Sequence, residues 1–188
     1  MAAQYLERHR DRCALEPCAD RFAAMLRPGD LVLDVGCGPG FDAPLLRARG
    51  LRVVGVDLSQ AMMRSGKGDF QQTLVRADMR RLPFSRAAAG LWVNASLLHL
   101  PRMDVPASLR GFGAVLRVNG ILFLTLKEGA GERWISDPYG GGHPRRFTFW
   151  HADAIDATLA GAGFRIVDGS IEHREGNAWI VRYAKKSG

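Results

Sequence analysis

The chain has 188 residues, a formal charge of +7, 47% hydrophobic and 24% charged residues. That length holds one hydrophobic core and excludes two full domains, and the apolar content excludes a disordered chain. The charge and a sequence pI near 9.9 raise the question of an anionic partner. However, Arg80-Arg81, Arg145-Arg146 and Lys185-Lys186 are only pairs, so a solvated arginine-rich surface is the stronger expectation than a nucleic-acid footprint.

In chain order, residues 1–27 read as helix broken near Pro17, with Phe22, Ala23, Met25 and Leu26 as an apolar face, and Pro28-Gly29-Asp30 as a turn. Leu31 to Val35 is strand-like. Gly36 to Gly40 interrupts it, and Phe41 to Arg49 is helical up to a C-cap at Gly50. Leu51 to Val56 is the second strand, and Ser59 caps a helix through about Gly66. Thr73 to Arg76 and Leu91 to Ala95 are the third and fourth strands, separated by a loop over Met79 to Gly90.

Val105, Leu109, Phe112, Val115 and Leu116 share a helical face, and Asn119-Gly120 supplies a left-handed exit into a strand over Ile121 to Leu126. Gly129 to Pro144, rich in glycine, reads as a long loop. Ala154, Ile155, Thr158, Leu159 and Ala162 mark a last helix. Phe164 to Ile171 and Ala178 to Ala184 then form a strand pair around Glu175-Gly176-Asn177. The alternation predicts an α/β fold: a Rossmann-like, doubly wound, seven-stranded, mostly parallel sheet with helices on both faces and an antiparallel hairpin at the C-terminal edge.

Three cysteines, Cys13, Cys18 and Cys37, make neither a disulfide framework nor a metal site with zinc spacing, which predicts a reducing cytoplasm and no metal. The charged N-terminus and the lack of an eighteen-residue apolar run predict no signal peptide and no membrane partner.

Such a sheet binds ligands beyond the carboxyl ends of its strands. There lie Asp34-Val35-Gly36-Cys37-Gly38-Pro39-Gly40, and Asp57, placed to accept hydrogen bonds from two ribose hydroxyls. The glycine register is G-x-G-x-G, with Phe41 where a dinucleotide fingerprint has its third glycine. Asp34 would repel a pyrophosphate and attract a ligand bearing an ammonium and a sulfonium. A nicotinamide dinucleotide is therefore the weaker of the two candidates.

Those residues, with Val56-Asp57-Leu58-Ser59 and Met62-Met63, Ala77-Asp78-Met79, Asn94 to Pro101 and Leu116-Arg117-Val118-Asn119-Gly120, resemble the ordered motifs of class I S-adenosylmethionine-dependent methyltransferases. The resemblance runs from about residue 30 to 130 and is nearest to compact bacterial stand-alone enzymes. It implies a cradle of Asp34, Gly36, Cys37, Gly38 and Gly40 under the methionine part of the cofactor, and Asp57 on its ribose. It further implies Leu58 and Met62 on the adenine, Asp78 and the Met79 amide on its edge, and the Asn94 carbonyl on the ammonium. Tyr5 and Arg8 would close over the carboxylate.

Two departures stand out: Ala88-Ala89 replaces a Phe-Asp before the fourth strand, and Val118-Asn119-Gly120 replaces a Pro-Gly-Gly. The implied division is a single methyltransferase domain, 1–188, with a helical cap at 1–29 and a cofactor-binding core at 30–127. A substrate-side loop at 128–150 and a C-terminal helix and strand pair at 151–188 complete it.

Methyl transfer from a sulfonium is an in-line displacement, in which alignment supplies much of the rate. His99, after the fourth strand, is the leading general-base candidate, although packing accounts for such a histidine equally well. Tyr139 and His143 are further candidates on the loop. Lys127, Arg133, Arg145 and Arg146 flank it and would favour an anionic substrate if they converge. Trp134, Phe147, Phe149 and Trp150 line a pocket or pack the last helix. The expected partner is a small molecule, with the protein a monomer or homodimer. An RNA methyltransferase and a catalytically silent cofactor-binding subunit are the alternatives.

Overall fold

The computed structural model describes residues 12–66, 73–86, 88–136, 144–174 and 176–188. Helix α1 (Glu16–Ala24) precedes β1 (Leu31–Val35), α2 (Asp42–Arg47), β2 (Arg52–Asp57), α3 (Gln60–Ser65) and β3 (Thr73–Arg76). Then come β4 (Ala88–Val93), α4 (Val105–Val115), β5 (Leu116–Lys127), β6 (Glu132–Ile135), β7 (Arg145–Thr148), α5 (Ala152–Gly161), β8 (Phe164–Arg174) and β9 (Asn177–Lys186). Among the described residues no helix is long and apolar enough to cross a membrane.

Seven strands form one sheet in the order β3-β2-β1-β4-β5-β9-β8. The first five are parallel, and β9 runs antiparallel to both of its neighbours. The order reverses between β1 and β4, so a crevice opens at their carboxyl ends.

Alternate strand residues feed two cores, as a pleated strand requires. Leu33, Val35, Leu91, Val93, Leu122, Leu124 and Leu126 meet α4 and α5 on one face. Val32, Trp92, Ile121 and Phe123 meet Phe22 of α1 and Leu46 of α2 on the other. There Trp92 stacks on Phe123 at 3.8 Å between centroids, and Phe22 stands edge-on to Trp92 at 5.3 Å. A side chain at Gly90 would put its Cβ 2.6 Å from Phe22 Cζ, so α1 lies this close to the sheet only because position 90 is bare.

Four local expectations change. Pro17 does not break a helix: it occupies the first turn of α1, where its missing N–H leaves nothing unpaired, and a 3₁₀ turn (Cys13–Leu15) precedes it. The fourth strand is Ala88–Val93 and not Leu91 to Ala95. The small residues at 88–90 are strand because β1 and β5 enclose them, and Ala95 leaves the strand with φ +48°. Within the loop expected over Gly129 to Pro144, a 3₁₀-free stretch at Glu132–Ile135 is strand, paired with Arg145–Thr148. Its alternating side chains were hidden by the glycines around it. Leu116 already begins β5, and Asn119 sits at φ +62° within it, in the left-handed conformation its residue type tolerates.

Candidate active site

The loop after β1 folds back onto β2. The Gly36 and Cys37 amides both donate to the Val56 carbonyl, at 2.7 and 3.1 Å. The Gly38 amide donates to Asp57 Oδ2 at 2.8 Å, and the Ser59 amide to Asp57 Oδ1 at 2.7 Å. Each oxygen keeps lone-pair capacity toward the crevice, since a carboxylate accepts about four bonds. The Ser59 hydroxyl accepts the Met62 amide and starts α3, which brings Met62 beside Gly38. Leu58 stays 57% exposed, an apolar side chain offered to a flat ligand.

Asp34 is 3% exposed and its Oδ2 has no hydrogen-bond partner. Burial, reinforced by Asp42 and Asp57 and opposed by the Arg12 guanidinium, pushes its carboxyl well above the ordinary range. Folding therefore takes up a proton at Asp34, and stability falls as pH rises from about 4 toward the raised folded value. Asp34→Asn, neutral at every pH, should remove that fall and melt higher than the parent at pH 7. Thermal melts from pH 4 to 8 check this, and a variant that melts lower throughout would refute it. Cys37, beneath the loop, has its thiol pushed up by burial and by Asp34, so it stays protonated.

The sequence reading missed the residue that ties the site together. Asp42, 5% exposed at the start of α2, accepts from Trp92 Nε1 at 2.8 Å and from Asn94 Nδ2 at 3.0 Å through Oδ2. Arg12 Nε lies 2.8 Å from its Oδ1, and the Arg12 guanidinium stands over the Phe41 ring at 5.2 Å. Thr125 Oγ1 donates to Asn94 Oδ1 and accepts the Ala95 amide, both at 2.8 Å, which fixes the chain where it leaves β4. Ser96 Oγ donates to the Val35 carbonyl at 2.7 Å and closes the floor beneath Gly36. The available signal was an acid two residues past the last loop glycine, and it reads as an ordinary helix-start residue.

Asp78 caps the 3₁₀ turn Met79–Arg81 and is gripped by Arg80, whose Nη2 lies 2.6 Å from Oδ2. That hydrogen-bonded guanidinium holds the carboxyl below the ordinary carboxylate range. Arg80 also reaches Asp104, at 3.2 Å. The Met79 methyl approaches Gly36, 3.5 Å from where a Cβ would stand.

His99 follows Asn94 on the turn Leu97–His99. Its Nδ1 is 2.8 Å from the Arg146 carbonyl, an acceptor only, so Nδ1 carries the proton and Nε2 keeps its lone pair. Burial lowers its pKa, and the Arg145 and Lys127 cations press it further down against the pull of Asp57. The ring is therefore neutral at pH 7. Phe147 meets it edge-on at 4.8 Å.

The two strands β6 and β7 sort the basic residues. Their register places Arg133, Ile135, Arg145 and Phe147 on one face and Glu132, Trp134, Arg146 and Thr148 on the other. Lys127, at the end of β5, has its Nζ 5.2 Å from the Phe147 centroid and bonds Asn177 Oδ1 at 3.1 Å. Arg145 lies 5.8 Å from the same centroid. These two cations and His99 thus share one ring. Arg146 does not join them: it sits over Trp134 and 3.4 Å from Glu132 Oε2. Arg133 lies over Phe149 at 5.0 Å.

Glu132 Oε1 also accepts the Arg102 amide at 2.6 Å and lies 3.1 Å from Thr148 Oγ1, so it fastens the strand pair to the segment after His99. Trp150 is core and Trp134 is exposed. Tyr5, Arg8, Tyr139 and His143 lie outside the described residues. A separate open groove at the far edge strand β8 is lined by Arg182, already paired with Asp156 at 2.7 Å.

Residues 32–120 match the family described as methyltransferase domain. A malonyl-(acyl-carrier protein) O-methyltransferase of Erwinia pyrifoliae is 32% identical over 118 residues, 60% of this chain and 44% of the relative. A trans-aconitate 2-methyltransferase of an Enterobacter species is 33% identical over 104 residues, 54% of this chain and 40% of the relative. Both matches span less than half of the relative's own length. The fold is shared with Burkholderia thailandensis 1,6-didemethyltoxoflavin-N1-methyltransferase, solved with 1,6-didemethyltoxoflavin and S-adenosylhomocysteine bound. The TM-score is 0.75, with 23% identity, 95% of this chain and 80% of the other covered. Its motifs in order and its strand order agree with the resemblance to class I S-adenosylmethionine-dependent methyltransferases, and the match over residues 32–120 makes that stretch similar to a methyltransferase domain.

Proposed function

We propose that the protein transfers the methyl group of S-adenosylmethionine to a small anionic molecule. The observation that carries the cofactor reading is the Asp34 carboxyl group, buried without a partner at Oδ2 beneath a glycine cradle that Asp57 holds open. A ligand with an ammonium supplies the missing charge and ionises Asp34, so affinity should rise with pH up to the raised Asp34 value. Asp57 has lone pairs left for ribose hydroxyls, and Leu58 and Met62 offer apolar surface to an adenine. Asp78, kept ionised by Arg80, is an acceptor for its amino group, beside the Met79 amide. The Asn94 carbonyl takes the ammonium. Arg12, whose Nε lies 2.8 Å from Asp42 Oδ1, offers a guanidinium for the cofactor carboxylate, beside the role expected of Tyr5 and Arg8.

When bound, the cofactor supplies an activated methyl group, so the chain's own task is alignment and exclusion of water. Residues 30–127 serve as the cofactor core and 128–150 as the substrate side. Lys127 and Arg145 converging on Phe147 beside His99 support an anionic acceptor, as do relatives named for malonyl-(acyl-carrier protein) and trans-aconitate.

S-adenosylhomocysteine at about 100 times its Kd should stabilise the protein by about 2.7 kcal/mol. NAD should not. Asp57→Ala should lose the shift and keep the far-UV circular dichroism of the parent. A shift with NAD alone would overturn the reading.

A further inference from the structure

We propose that the acceptor is a carboxylate gripped by Lys127 and Arg145 over Phe147, and that the methyl group is placed on one of its own oxygens to give a methyl ester. This rests on the methyltransferase reading above and adds the chemistry of the acceptor atom. These residues and His99 come from three separate elements. Lys127 ends β5, Arg145 and Phe147 lie on one face of β7, and His99 follows β4 on the crevice side, where the Asp57 charge still acts on its ring.

The choice of acceptor follows from what these groups do to protons. Two cations favour an anion already formed. Among the described residues, the basic lone pair beside them, His99 Nε2, belongs to a buried ring whose protonation those same cations oppose, and the lone pairs that Asp57 has left beyond the Gly38 and Ser59 amides are assigned above to the ribose hydroxyls. A protonated amine or a hydroxyl needs a base that accepts its proton. A thiol, with an ordinary pKa of about 8.5, is also mostly protonated at neutral pH. A carboxylate needs none. In the step, an oxygen lone pair forms the bond to the methyl carbon and the carbon–sulfur bond breaks, its electron pair staying on sulfur. The sulfonium becomes a thioether, the carboxylate becomes a neutral ester, and no proton moves. The lost negative charge weakens the hold of Lys127 and Arg145, which favours product release.

The test uses methyl-labelled S-adenosylmethionine with two acceptor pools. One contains citrate, benzoate and phenylacetate beside their primary amides, and the other is the low-molecular-weight fraction of a bacterial extract. The label transferred should be released as volatile methanol by mild base, as an ester requires. Carboxylates, and not their amides, should raise the Tm beyond the shift given by S-adenosylhomocysteine alone. Arg145→Met and Lys127→Met should each raise the KM for the carboxylate at least tenfold with the KM for S-adenosylmethionine unchanged. Base-stable label, or no base-labile label in either pool while S-adenosylhomocysteine still shifts the Tm, overturns the ester proposal alone. No shift with S-adenosylhomocysteine overturns the methyltransferase reading with it.

Discussion

Replacing Asp42 with alanine should cost about 3–5 kcal/mol of stability, the range for removing one partner of a buried charged network. At roughly 2–4 °C per kcal/mol for a chain of this size, the Tm should fall by roughly 6–20 °C. The reason is the number of donors left behind. Trp92 Nε1–H lies within a fully buried side chain and has Asp42 Oδ2 as its acceptor. Asn94 Nδ2 shares that oxygen, and Arg12 brings a positive charge to the other. Without the carboxylate all three face the gap, and each unpaired buried group adds its desolvation cost. Asp42→Asn keeps an acceptor for Trp92 and should lose less than half as much. Urea denaturation of both variants measures the difference. A loss below about 1 kcal/mol in the alanine variant would show that the hub does not hold the site together.

Gly36→Ala should cost about 2–4 kcal/mol and abolish the S-adenosylhomocysteine shift. A left-handed alanine carries roughly 1 kcal/mol of backbone strain, and overpacking a tight site adds about 1–3 kcal/mol. Here φ is +76°, and the new methyl would stand 2.3 Å from Ser96 Cβ and 2.8 Å from Ser96 Oγ. Relief requires the segment after β4 to move away, which breaks the Ser96 hydroxyl bond to the Val35 carbonyl. Gly38→Ala makes a useful comparison. Its φ is +53°, but the nearest atom outside the loop is the flexible Met62 methyl at 3.8 Å, so its cost should be strain alone. Equal losses in the two variants would mean that the contact with Ser96 does not matter.

The first two strands and the loop between them were legible because they depend on local pattern. Leu31 to Val35 and Leu51 to Val56 are apolar runs, and Gly36 to Gly40 can hardly be anything but a turn. Ser59 as a cap and Asn119 as a left-handed residue follow from single-residue chemistry. Ala88 to Gly90 carried no such pattern. They are strand because their neighbours bury them on both sides, a long-range cause that no window of sequence contains. The Asp42 hub was illegible for the same reason, since its partners lie at positions 12, 92 and 94. The division of the arginines between two faces depends on the pairing of β6 with β7, which glycine content concealed.

β4 enters the sheet between two strands already distant in the chain, with Val32 beside Gly90 and Gly90 beside Ile121. Pairings this remote close late, because their loop entropy is lost before their contacts form. Strands β1 to β3 can associate first and bring Asp57 to the glycine loop, but the floor under Gly36 and the partners of Asp42 arrive only with β4. On that ordering the cradle should be completed only after β1 to β3 have paired, and the moment of S-adenosylhomocysteine capture during refolding should date the insertion of β4.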